Sequence, residues 1–136
     1  MQSITRYGTI VVVFHAVIVA LHSLAHEKIP VSLSWFQSLF VSSIVVLAPI
    51  VATILLWTPF QKAGSWLLLG SMTGALLFGV YYHLIAVSPD QIFQIPLTGW
   101  GILFDITAIL LVFVEGLGCG VGVWAWKTLQ QKEQVL

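Results

Sequence analysis

Four apolar runs, at about residues 7–26, 35–57, 65–87 and 101–126, constrain this chain more than any motif in it. Each approaches or exceeds the ~20 residues a helix needs to cross a ~30 Å hydrocarbon core. Lipid offers no water to backbone N–H and C=O groups, so runs of this kind satisfy them internally, as helices. The connections are short and rich in breakers: "EKIPVSLS" with Pro30, "TPFQKAG" with Pro59 and Gly64, and "SPDQIFQIPLTG" with Pro89 and Pro96. Short links make consecutive spans antiparallel neighbours. The expected fold is therefore all-α, an integral membrane four-helix antiparallel bundle, with residues 1–136 forming a single transmembrane domain. Arg6 before the first apolar run imitates a signal peptide, but the run is too long and lacks a small-x-small cleavage site, so it reads as a retained helix.

Composition agrees. Hydrophobic residues make up 59% of the chain and charged ones 7%, with a mean hydropathy of +1.02, whereas a soluble domain carries roughly 25% charged residues. The main partner is the lipid bilayer. A formal net charge of zero argues against nucleic acid, which requires a basic patch. Cys119 is the only cysteine, so neither an intramolecular disulfide nor a Cys-x-x-Cys site is available. A phosphate-cradling loop with lysine, a nucleophile elbow and HExxH are all absent, which leaves hydrolase and nucleotide-driven pump readings unsupported.

Orientation follows from Lys and Arg near the span ends. Arg6, Lys62, Lys127 and Lys132 fall on the side shared by the two termini and the second loop, and only Lys28 falls opposite. Both termini are expected in the cytoplasm, with a bacterial inner membrane as the default location for so short a chain. Trp35 and Trp100 then mark the outer interface, and Trp57, Trp66, Trp124 and Trp126 the inner one.

With that topology the polar residues acquire depths. At ~1.5 Å per residue, His26 sits at the outer mouth of the first span and His22 roughly 6 Å below it. His83, near the end of the third span, and Asp105, near the start of the fourth, fall in the same layer. At ~100° per residue His15, His22 and His26 lie within about 40° of one another, one polar stripe on an apolar cylinder that should face the bundle interior. Asp105 and Glu115 differ by roughly 80° and can also face inward. An ionised carboxylate as deep as Glu115 costs a few kcal/mol, so a partner or a proton must neutralise it.

Ionisable groups converging in a low-dielectric layer need a proton, an ion or a cofactor to offset their burial. One reading is a transition-metal site, with zinc, copper or iron held by His22, His26 and His83 and with Asp105 as fourth ligand or anchor. Glu27, Tyr81, Tyr82 and Asp90 lie near the same mouth and are candidates for hydrogen-bonding support of those ligands. Such a site could carry redox or other metal-dependent chemistry. A second reading is haem b, ligated by His83 and one first-span histidine, in a membrane electron carrier. A third is a proton path through His15 and Glu115. The fourth is an accessory or scaffold subunit whose histidines only join helices.

Two further features read as structural. Gly116, Gly118, Gly120 and Gly122 form overlapping G-x-x-x-G spacings that admit close helix approach, within the bundle (with Gly70 and Gly74 as natural partners) or between copies in a homo-oligomer or larger membrane complex. Pro49 is expected to kink the second span, and nearby Ser or Thr hydroxyls to satisfy the carbonyl it frees.

Overall fold

A computed structural model describes residues 2–134, without the side chains at 132 and 133, so Lys132 of the basic count lies outside the described side chains. Among the described residues every regular element is helical. The first span is α1 (Gln2–Lys28). The second combines α2 (Trp35–Phe40), a π-helical stretch (Val41–Leu47) and α3 (Ala48–Leu56). The third joins α4 (Gln61–Val80) to a second π-helical stretch (Tyr81–Ile85), and a short 3-10 turn (Ile92–Gln94) leads to the fourth, α5 (Trp100–Gln134). All four are long and apolar enough to cross a membrane, and the chain is a membrane protein with the expected bundle architecture.

Side-chain pairings show the antiparallel arrangement directly. Along α1 and α5, Tyr7 meets Trp124, His15 meets Glu115 and His22 meets Thr107, one index rising as the other falls. Thr5 donates to the Leu56 carbonyl at 2.9 Å, and Trp57 Nε1 donates to Thr9 Oγ1 at 3.0 Å, which pins α1 to the end of α3. Trp66 packs on Trp126, and Phe40 stacks on Phe78. Each span therefore touches its sequence neighbours, and α5 closes the ring on α1.

The core splits into two parts. Near the termini, Ile4, Val11, Val12, Ala52, Leu56, Leu68, Met72, Leu111 and Val114 form an apolar cluster; at the far end Ala25, Ile95 and Phe104 form a smaller one, flanked by Ile29, Ile92 and Leu103. A polar layer separates them. Outward, α1 and α5 present Val13, Phe14, Val17, Ile106, Leu110, Phe113 and Leu117, the apolar face a helix shows to lipid.

Pro49 is accommodated by widening rather than by hydroxyl rescue. Proline lacks an N–H and crowds the carbonyl four residues back; the turn just before it is π-helical, with the Ala48 N–H bonding back to the Ser43 carbonyl. Ser42, Ser43 and Thr53 donate instead to the carbonyls of Ser38, Leu39 and Pro49. A capping box starts α2: Ser34 Oγ accepts from the Gln37 N–H, and Gln37 Oε1 accepts from the Ser34 N–H.

The glycine stripe on α5 divides between two faces. A Cβ on Gly118 would lie 2.6 Å from Met72 Cγ, and one on Gly122 would lie 3.0 Å from Leu69 Cα and 3.1 Å from its N. These two are consumed by packing on α4, against Met72 and Leu69 rather than against Gly70 and Gly74. Gly116 and Gly120 meet nothing within 4 Å. Gly122→Ala should therefore cost about 1–3 kcal/mol, because backbone rather than a flexible tip must yield, while Gly116→Ala should change stability little. Unfolding of both variants in detergent checks this, and equal losses would contradict the packing described.

Candidate metal centre

His22 and His26 stand one turn apart on the inward stripe of α1, and the π-helical end of the third span delivers His83 to the same layer. One ring nitrogen from each of the three lies within 4.8 Å of the others. The His22 ring centroid is 4.9 Å from those of both His26 and His83, and Phe104 covers the group with its centroid 4.6, 4.8 and 5.3 Å from the three imidazoles. His22 and His83 are both 7% exposed.

Neighbouring oxygens fix the tautomer of two of the rings. Thr107 Oγ1 sits 2.6 Å from the Leu103 carbonyl and 3.0 Å from that of Phe104, so its single hydrogen is committed to its own helix. It is also 2.8 Å from His22 Nδ1 and must accept there, so Nδ1 carries the proton. His22 Nε2 is left as a bare, buried nitrogen with no hydrogen-bond partner. The Asp90 carbonyl, which only accepts, is 3.0 Å from His83 Nδ1, so His83 Nδ1 is also the protonated nitrogen. Asp90 Oδ1 lies 3.2 Å from His26 Nε2, at ion-pair distance without hydrogen-bond alignment, and 3.6 Å from His83 Nδ1. His26 Nδ1, on the far side of its ring, is buried and unpartnered. His22 and His83 are thus each held through Nδ1, while His22 Nε2 and His26 Nδ1 are buried without partners, an arrangement compatible with metal ligation.

Not every candidate joins this group. Asp105 is buried but stands outside the triad, and its Oδ1 has no partner. The reason is helical register: Phe104, Leu111 and Glu115 recur on one face of α5, and Asp105 is turned ~100° from Phe104. Tyr81 and Tyr82 pack on each other, and Tyr82 packs on Phe78, with Tyr81 half exposed; neither reaches the imidazoles. Glu27 lines the mouth of the adjoining cavity. Asp90 comes from the third connection, where Gln91 and Ile95 are also buried and hold the loop over the bundle end. Thr107 and Phe104 are the parts that sequence reasoning missed; Thr107, in the same layer of an apolar helix and on the Phe104 face, was the available signal.

Deeper in the bundle His15 Nε2 lies 3.3 Å from Glu115 Oε1, with both residues 2% exposed. This pairing offsets the carboxylate's burial. Between the two sites runs a cavity of about 250 Å³ whose walls include His22, His26, His83 and Glu115. No protein-family model, curated protein or solved structure matches this chain, which leaves this geometry as the guide to function.

Removing one member of the buried pair should hurt more than removing both. His15→Leu leaves Glu115 alone in the low-dielectric interior and is expected to cost about 3–5 kcal/mol, much of it recovered in His15→Leu/Glu115→Leu. Thermal unfolding in detergent measures both, and additive losses would show that the two residues are not coupled.

Proposed function

We propose that this membrane protein binds one transition-metal ion on His22, His26 and His83, with a coordination position open to the buried cavity for redox or Lewis-acid chemistry. The observation that carries the reading is the convergence of three ring nitrogens within 4.8 Å of one another, with His22 and His83 each anchored through Nδ1 and His22 Nε2 and His26 Nδ1 unpartnered. Hydrogen-bonded oxygens behind ligand histidines raise their basicity and fix their rotation, which is the part played here by Thr107 and Asp90. Three imidazoles suit zinc, copper or iron. Nitrogens around one tetrahedral ion with bonds of ~2.0–2.1 Å stand ~3.4 Å apart, so the rings would draw in by about 1 Å on loading. An ion is favoured over haem b because His22 packs edge to face on both His26 and His83 with centroids 4.9 Å apart, which leaves no slot for a macrocycle between His83 and His22. In the cell the site would lie just under the outer surface, with both termini cytoplasmic.

The test is elemental analysis, with visible absorption, on protein purified in mild detergent without chelator. Stoichiometric zinc, copper or iron is expected, lost in His22→Ala and in His83→Ala while helical content persists. Thr107→Val should weaken metal affinity about tenfold or more, as loss of an orienting partner does. Full metal content in both alanine variants would overturn the assignment, a Soret band would replace the ion with haem, and no metal in the unsubstituted protein would leave the histidines to helix packing.

A further inference from the structure

The cavity beneath the triad has two unlike ends. At one, His22 Nε2 and His26 Nδ1 are buried without partners; at the other, Glu115 engages His15 through Oε1, and its Oε2 has no hydrogen-bond partner. Glu115 is 2% exposed, so this is a buried oxygen without a partner on the cavity wall. Apolar groups separate the ends, among them Val45, Ala75, Phe78 and Leu111. Gly79 marks the passage: a Cβ there would lie 3.8 Å from Glu115 Oε2 and 3.9 Å from His83 Cδ2. The widened turns of the two π-helical stretches supply Val41 and Val45 to one wall and His83 to another.

We propose that this cavity binds a small, membrane-soluble, single-ring aromatic alcohol of the phenol or hydroquinone class, its hydroxyl donating to Glu115 Oε2 and its other end turned toward the triad. Volume sets the size. A dry cavity of ~150 Å³ accepts benzene, and about 250 Å³ accepts one ring with its substituents. Hydrogen bonding sets the type of head group. Glu115 Oε1 is engaged by His15 and Oε2 has no partner, so the site calls for a hydrogen-bond donor. The route of entry sets the polarity. α1 meets the second span along α3 rather than along α2, and exposed Ser23 and Glu27, in the last two turns of α1, line the cavity, so entry is near the outer end of the span, within reach of a ligand dissolved in the outer part of the bilayer. Only the placement of the ligand's far end rests on the metal reading.

Binding of 4-ethylphenol to the full chain in detergent, followed by calorimetry against ethylbenzene as the hydroxyl-free control, tests the proposal. Saturable binding of 4-ethylphenol at one site is expected, weakened about tenfold or more in Gly79→Leu, whose side chain fills the passage. In Glu115→Gln, where a neutral amide replaces the carboxylate, the preference for 4-ethylphenol over ethylbenzene should shrink about tenfold. Metal content of the same samples separates the two readings: phenol binding without metal keeps the pocket and removes the ion. Metal without saturable phenol binding does the reverse. Equal affinity in the unsubstituted protein and in folded Gly79→Leu overturns the pocket. Should Gly79→Leu not fold, unchanged selectivity in Glu115→Gln overturns it alone.

Discussion

A bilayer charges heavily for polar groups that face it, and the contact between His15 and Glu115 is where this chain answers that constraint. The pair sits midway along the seam of α1 and α5, 2% exposed on each side, with lipid-facing Val13, Phe14 and Phe113 nearby on the same helices. Sliding one helix by a turn would leave a carboxylate and an imidazole apart in low dielectric, which is far costlier than any local change in apolar packing. The pair thereby sets register. Once it is set, His22 falls opposite Thr107 and Tyr7 opposite Trp124, so the orientation of the imidazole triad is inherited from a contact that is not part of it.

The tautomers matter for a similar reason. Thr107 is held by its own helix carbonyls, and Asp90 by a loop whose Ile95 packs on Phe104 and Ala25. At the metal site proposed here, rings fixed from behind this way would lose little freedom on binding an ion. A scaffold role for the same histidines would need their second nitrogens to find partners as well, and at His22 Nε2 and His26 Nδ1 they do not.

Much of this was legible in the sequence, and the divide between the legible and the hidden is physical. Helical rise and rotation are nearly constant, so the layer shared by His22, His26 and His83, and the inward stripe on α1, follow from residue numbers alone. The rotation of α5 about its own axis does not. Phe104 and Asp105 are adjacent, chemically opposite and both buried, and a rule that polar residues cluster favours the aspartate as neighbour of the histidines, whereas packing turns the phenylalanine onto the imidazoles. Asp90 lies in a connection with no periodicity to read, so its approach to His26 and His83 depends on how Ile92 and Ile95 seat that loop. Thr107 was overlooked because a threonine in an apolar helix more often bonds its own backbone; here it does that and accepts from His22 as well.

The two π-helical stretches reconcile the packed core with the polar layer. A π turn adds a residue to a helix without extending its hydrogen-bonded ladder in step, rotating the residues after it relative to those before it, and such turns gather at functional sites. In the second span the turn absorbs Pro49 and brings Val41 and Val45 to the cavity wall. In the third it comes directly after Gly79 and Val80 and carries His83 toward α1, across the bundle rather than toward a sequence neighbour. By ideal α-helical rotation His83 lies within about 20° of Met72, on the face that Leu68, Met72 and Ala75 bury in the bundle, so one face of the span serves the core along its length and the imidazole cluster at its end.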